Sequence, residues 1–314
     1  MTREVRIASR ASKLALVQAD MVRKSLEKLS SHTAFSVVTL STKGDRDRSD
    51  FLHKSEFVGL FTSEVENALL DGRADVAVHS LKDLPTSGSD KLLVAAVMKR
   101  EAVADALVAW GKARAIEGLP LGATVGTSSL RRIAQLKHLR ADLKCVPLRG
   151  NVETRVRKVL AGQVDAAVVA SAGLYRLGLG ERISAVLAPE QFLTAPGQGA
   201  LAVQVRGEDC DLAGLVSELD DRPTRVATQA ERSVLAAMRG GCSIPLGVYA
   251  RILNDRLLID AMIADIEGKT LIRRSSSSPV EESKACAIRL AEELLEAGGR
   301  QILQKIRNSS SGSD

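Results

Sequence analysis

A seven-residue pattern recurs in this chain. Gly72-Arg73-Ala74-Asp75-Val76-Ala77-Val78 returns as Gly162-Gln163-Val164-Asp165-Ala166-Ala167-Val168, the pattern G-x-[AV]-D-[AV]-A-V. Each copy sits at the predicted end of a helix and enters a short apolar run. A run without polar alternation suits a strand buried on both faces of an α/β sheet. Each run leads to a serine, Ser80 or Ser171. Either an Ala- and Val-rich chain repeats itself by composition, or two similar α/β domains face each other over a cleft, a common place for a ligand.

The flanking patterns fill in both halves. Residues 5–8 read as a strand, 9–13 as a loop, and 14–29 as a helix with Leu14, Val17, Met21, Val22 and Leu26 near one face. Residues 35–40 read as a strand. Ser63-x-x-Glu66 reads as a capping box opening a helix that ends at Asp71-Gly72. Residues 75–80 and 92–97 are further strands, and this alternation predicts a parallel sheet. The pattern restarts with strand 124–126, the polar turn Thr127-Ser128-Ser129, helix 130–139 and strand 144–148. Asn151 can cap a helix to residue 160, strand 166–170 follows, and Ser171-Ala172-Gly173 reads as a loop.

Beyond Asp220-Asp221-Arg222-Pro223, read as a linker, the chain changes character. Residues 224–238 predict a helix stopped by Gly240-Gly241. Residues 247–252, 257–264 and 270–275 predict an antiparallel meander turned at Asn254-Asp255 and Glu267-Gly268. A loop at 275–279, helices at 281–296 and 300–306 and a disordered tail at 308–314 complete a small α+β region.

Composition narrows the function. The net charge is +6, yet aromatics make up 3% and no Lys/Arg block sits at either end, so the stacking surfaces of a nucleic-acid binder are missing. No stretch approaches the roughly 18–20 apolar residues of a membrane span. The first residues carry no apolar leader. Cys145, Cys210, Cys242 and Cys286 form no Cys-x-x-Cys pair, which argues against a disulfide scaffold or structural zinc and for a reducing cytoplasm.

The arginines cluster instead at predicted strand ends. Arg131-Arg132 follows Thr127-Ser128-Ser129, where hydroxyls, free N–H groups and two guanidiniums make an anion site. Cations in a first helical turn oppose the macrodipole unless an anion offsets them. The alternative is a solvated helix start. Arg149, Arg155, Arg176 and Arg10 repeat the theme at other strand ends, where open α/β sheets bind ligands. Asp83, beside Lys82 in a loop closed by Pro85, is either a surface acid or a proton carrier held among cations. His79 reads as structural. Cys242 lies in a loop after Gly240-Gly241, while Cys145 and Cys286 read as small buried hydrophobes and Cys210 as inert.

Residues 231–247, Glu-Arg-Ser-Val-Leu-Ala-Ala-Met-Arg-Gly-Gly-Cys-Ser-Ile-Pro-Leu-Gly, resemble the cofactor-attachment signature of the porphobilinogen deaminases, also called hydroxymethylbilane synthases. Blocks at 7–15, 77–85, 126–132, 148–155 and 195–200 resemble that family in the same order, so the resemblance spans nearly the whole chain. It implies an α/β fold class: two doubly wound domains like the type II periplasmic binding proteins, 1–98 with 199–219 and 99–198, and a small α+β domain, 220–314, carrying a three-stranded antiparallel sheet. The implied reaction condenses four porphobilinogen molecules head to tail with loss of ammonia. The product is the linear tetrapyrrole hydroxymethylbilane, and the primer is a dipyrromethane cofactor held as a thioether on Cys242.

The resemblance also implies roles. Ser80, Lys82, Asp83, Thr127, Ser128, Ser129, Arg131, Arg132 and Arg155 would hold the cofactor. Arg10, Ser12, Gln18, Arg149, Arg155 and Arg176 would position substrate and growing chain, and Asp83 would be catalytic. No metal, membrane or nucleic-acid partner is implied, and a cytoplasmic monomer is expected. One stretch departs from the family: where a Gly-Gly-basic-Gly loop is usual, this chain has Ser55-Glu56-Phe57-Val58-Gly59-Leu60. From a different class, a non-catalytic receptor for a polycarboxylate would need the same arginines but gives no reason for Cys242 or Asp83.

Overall fold

The structure, a computed structural model, describes residues 3–40, 62–111, 113–238 and 244–311. In chain order it runs β1 (Arg3–Arg10), α1 (Lys13–Leu29), β2 (Thr33–Leu40), α2 (Ser63–Leu70), β3 (Val76–Ser80), β4 (Leu92–Val97), β5 (Asp105–Ala109), β6 (Thr124–Gly126), α3 (Leu130–Leu139), β7 (Lys144–Val146), α4 (Val152–Leu160), β8 (Ala166–Ala170), α5 (Ser171–Arg176), β9 (Ala185–Leu187), β10 (Leu201–Arg206), α6 (Cys210–Ser217), α7 (Arg222–Ala237), β11 (Leu246–Leu253), β12 (Arg256–Ala264), β13 (Leu271–Pro279), α8 (Ser283–Leu294) and α9 (Arg300–Ser311). Two compact units result, residues 1–101 with 200–225 and residues 102–199 with 226–314.

The first unit is built on a sheet of order β2-β1-β3-β10-β4. Strands β1, β2 and β3 are parallel, whereas β10 lies antiparallel between β3 and β4. The core behind it comes from Val5, Ile7, Val76, Val203 and Val205 with Ala19, Val22 and Leu26 of α1. Met21, expected on that face, is 37% exposed, and its place is taken by Gln18 and Ala19. The capping box does not form. Thr62, not Ser63, precedes α2, and Ser63 turns its hydroxyl to Glu64.

The second unit holds two sheets. One has the order β7-β6-β8-β5-β9, with β6 parallel to β7 and β8 and with β5 antiparallel between β8 and β9. This is the arrangement of the first sheet again, so both differ from the all-parallel expectation in the same way. The inserted antiparallel strand enters from a distant part of the chain each time, a relation no local pattern announces. The other sheet is the antiparallel meander β11-β12-β13. Val248, Ala250, Leu257, Ile259, Ala261 and Ile263 on its inner face pack on Ala230 and Val234 of α7 and Leu290 and Leu294 of α8. Three local readings are corrected here. Residues 171–173 open a helix, 275–279 complete β13 in register with β12, and α9 continues through Asn308 to Ser311.

The expected linker is tied down rather than loose. The Asp220 carboxylate accepts from Val97 N at 2.7 Å, and Asp221 caps α7 by accepting from Thr224 N at 3.0 Å.

The repeated heptapeptide has one physical job in both places. Asp75 N donates to Arg6 O at 2.8 Å while the Asp75 carboxylate accepts from Arg6 N at 3.0 Å. Asp165 N donates to Thr124 O at 3.0 Å and its carboxylate accepts from Thr124 N at 2.7 Å. The acid thus forms both hydrogen bonds that start the pairing with the neighbouring parallel strand. The serines are not equivalent, however. Ser80 ends β3, whereas Ser171 falls one residue beyond β8, its N–H donating to Ala104 O as Leu81 N donates to Ala200 O. Replacing Asp165 by alanine strands the Thr124 N–H and should cost about 1–3 kcal/mol. Asn, which keeps an acceptor, should cost less. Urea midpoints of the two variants check this, and equal midpoints would count against the capping role.

Candidate active site

In the first unit the chemistry collects at the carboxyl ends of β1 and β3. Strand β1 delivers Arg10, and Ser12 then caps α1, its hydroxyl accepting from Ala15 N at 3.3 Å. One turn on, Gln18 is buried and donates through Nε2 to Ser80 Oγ at 3.0 Å. After Ser80 a single 3-10 turn, Leu81–Asp83, reverses the chain. Leu81 and Leu84 are buried and pin this turn, which leaves Lys82 half-buried and Asp83 exposed. Arg10, Ser12, Gln18, His79, Ser80 and Asp83 line one hollow of about 80 Å³. Five expected site residues therefore meet in one place, with Lys82 on the same turn. Thr62 also lines the hollow, and its buried Oγ1 finds no hydrogen-bond partner among the described residues.

His79 underlies this hollow. Its Nε2 lies 3.0 Å from Gln204 Oε1, and Gln204 Nε2 donates to Glu66 Oε1 at 3.1 Å. That order puts the His79 proton on Nε2. Burial, partly offset by the Gln204 contact, lowers the imidazole to about 4, so it is neutral near pH 7.

In the second unit the residues expected to make an anion site lie at and just before the start of α3. Thr127 is buried and its Oγ1 accepts from Ser129 N at 3.2 Å, while Ser128 is exposed. Arg131 and Arg132 are only 4% and 6% exposed, which removes the solvated reading. Both reach a residue that sequence reasoning missed. Arg131 Nη1 donates to Asp105 Oδ2 at 2.8 Å and Arg132 Nη2 to Asp105 Oδ1 at 2.7 Å. Burial alone would raise the Asp105 carboxyl, but the charges and hydrogen bonds of the two guanidiniums outweigh it and hold it well below the usual carboxylate range. Arg132 Nε is buried and meets no acceptor among the described residues. The available signal for Asp105 was a lone acid heading the apolar run Ala106-Leu107-Val108.

The remaining predicted residues among those described also lie in the second unit. Asn151 caps α4 by accepting from Thr154 N at 2.9 Å, and Arg155 Nε donates to Gly150 O at 2.8 Å, beside Arg149. Arg176 closes α5 and donates through Nη2 to Gly199 O at 2.7 Å. Cys242 and the atypical stretch 55–60 lie outside the described residues. Of the other cysteines, Cys286 is buried, Cys210 is exposed, and burial pushes the half-buried Cys145 thiol up. No cluster of three or more His, Cys, Asp or Glu that could hold a metal ion occurs among the described residues. No described helix is long and apolar enough to cross a membrane.

Family comparison agrees with this chemistry. The model for "Porphobilinogen deaminase, dipyromethane cofactor binding domain" matches residues 5–214, and that for "Porphobilinogen deaminase, C-terminal domain" matches 226–296. The chain belongs to the porphobilinogen deaminase family. The porphobilinogen deaminase of Desulforudis audaxviator is 43% identical over 307 residues, 98% of this chain and 99% of that protein. Those of Chromobacterium violaceum and Nostoc sp. are 41% and 42% identical, over 96% and 97% of this chain and 97% and 95% of those proteins. Among solved structures, the VFT2 domain of Bordetella pertussis BvgS gives a TM-score of 0.42 at 16% identity, covering 69% of this chain and 86% of that one. The aliphatic sulphonate binding protein SsuA of Escherichia coli gives 0.41 at 15%, covering 77% and 72%. Both α/β sheets share one strand order, with a single antiparallel strand in the fourth position.

The neutral His79 has a pH consequence. Its folded value lies below the unfolded value of about 6.5, so acid protonates the unfolded chain first and stability is lost as pH falls from there toward 4. Between pH 7 and pH 5 this should remove about 2 kcal/mol. In His79→Gln that portion of the pH dependence should vanish from urea unfolding. An unchanged slope would mean the imidazole is not held neutral.

Proposed function

We propose that this chain is a hydroxymethylbilane synthase, a transferase of tetrapyrrole and heme biosynthesis that joins four porphobilinogen molecules head to tail and releases ammonia. The observation that carries the reading is the short turn that presents Asp83 at a hollow shared with Arg10, Ser12, Gln18 and Ser80. Substrate and product carry an acetate and a propionate on every pyrrole. Burying such carboxylates without partners would be prohibitive, and forked guanidiniums are the matching donors.

The dipyrromethane cofactor fits the donors present. Arg132 Nε is a buried N–H without an acceptor among the described residues, on the first turn of the helix whose cap position Ser129 takes. When bound through Cys242, the cofactor supplies a tethered primer. Ser80, Lys82, Thr127, Ser128, Ser129, Arg131, Arg132 and Arg155 hold its acids. Arg10, Ser12, Gln18, Arg149 and Arg176 orient incoming porphobilinogen. Asp83 assists departure of the substrate's amino group as ammonia and stabilises the positive charge that develops on the pyrrole nitrogen, a task for a fixed carboxylate rather than a neutral amide. The three-domain division 1–98 with 199–219, 99–198 and 220–314 is proposed with this reading. Each of the three sheets has a core of its own, which supports it, although a smaller buried cluster of Ala134, Leu193, Met262 and Ala264 joins the second and third. So is a cytoplasmic monomer without a nucleic-acid partner.

Asp83→Asn should fold, keep the cofactor mass and turn over at least about a hundredfold more slowly. Near-normal turnover would remove Asp83 from the chemistry. Intact mass under denaturing conditions should exceed that of the chain by about two pyrrole units, and Cys242→Ser should abolish the excess. Unmodified fresh protein inactive toward porphobilinogen would instead support a polycarboxylate receptor.

A further inference from the structure

Asp105 has no task in the reaction described above, yet it organises the most buried charges of the second unit. It heads β5 with no solvent exposure. Its Oδ2 takes Arg131, its Oδ1 takes Arg132, and the same Oδ1 accepts from Gln198 Nε2 at 3.0 Å. Gln198 is itself fully buried and anchored by donating to Val103 O at 2.8 Å. Arg131 is braced a second time through the same nitrogen that meets Asp105. Its Nη1 donates to Leu193 O at 2.7 Å, and the Leu193 backbone is held by the Gln135 amide at 2.7 and 3.0 Å.

Consecutive residues of a helix point about 100° apart. Arg131 and Arg132 would diverge, and two neighbouring guanidiniums would repel. One carboxylate offering an oxygen to each makes them converge. It also cancels one of their two charges, so the buried cluster keeps a single positive charge and, at Arg132 Nε, a donor with no acceptor among the described residues. A buried guanidinium left in that condition is costly unless a further anion completes it.

We propose that Asp105, supported by Gln198, is a positioning residue: it fixes Arg131 and Arg132 so that their remaining N–H groups receive one cofactor carboxylate, which brings the cluster to neutrality. This rests on the reading that the two arginines hold the cofactor's acids. It assigns Asp105 no contact with the reacting atoms.

The test follows cofactor loading rather than turnover. Full-length protein is produced in a host unable to make porphobilinogen, then incubated with porphobilinogen. The mass gain is timed by intact mass spectrometry, well below each variant's thermal midpoint. Asp105→Asn should lower the midpoint and slow loading at least tenfold. Gln198→Leu, which changes no charge, should slow it severalfold. Asp105→Glu should restore the midpoint more than the loading rate, since the charge returns one methylene out of place. A merely structural acid would move the midpoint alone, so wild-type loading in Asp105→Asn overturns the proposal. Where Asp105→Asn fails to fold, wild-type loading in both Gln198→Leu and Asp105→Glu overturns it. Arg132→Gln separates the two readings. If it loads slowly while the Asp105 variants load normally, only the positioning role falls. If it loads at the wild-type rate, the assignment of the arginines falls with it.

Discussion

A guanidinium taken out of water must be answered by an acceptor, and in this protein a single carboxylate meets part of that requirement for two of them at once. Asp105, itself fully buried, accepts from two arginines and a glutamine amide at once. Losing one partner of such a cluster typically costs more than the cluster itself contributes to stability, because the survivor is left buried and uncompensated. The start of α3, the head of β5 and the segment ending at Gly199 are therefore fixed relative to one another by charge as well as by packing. On the proposed reading, a carboxylate entering here would meet donors already held in place, which is where preorganised sites gain their strength.

The same economy of acids appears in the two repeated sheets. Asp75 and Asp165 each spend one carboxylate on the first N–H of a neighbouring parallel strand. In the first unit the acid also binds Arg6 and Arg206 at 3.1 and 2.9 Å. Parallel pairing has no tight hairpin to fix its register, so a side chain that marks the first rung does work that a turn performs in antiparallel sheets.

Much of this was legible in the sequence, and the reasons for the rest are specific. Strand β8, helix α4 with its Asn151 cap, and helix α3 stand where periodicity and cap chemistry put them. Strands β5, β9 and β10 were not legible. They are short apolar stretches whose place depends on partners far away in sequence. At the site, the turn at 81–83 and the arginines could be found because each carries a local signal: a proline-closed loop, a pair of cations in a first helical turn. Their partner Asp105 could not, since nothing near residue 105 says that residues 131 and 132 will come to it. Ser63 shows the converse. Its spacing to Glu66 satisfies a capping box, but Ser63 is already the first helical residue and Thr62 takes the cap position.

Gly247 lies in the small antiparallel sheet, and a β-carbon there would stand 2.7 Å from Leu193 Cβ and 3.1 Å from Leu193 O. That oxygen is the one on which Arg131 rests. A bare backbone in this sheet thus sets how closely a guanidinium on helix α3 can be braced. Across that joint, tolerance for even one methyl group is decided by a residue that bears no charge and donates nothing to the ligand.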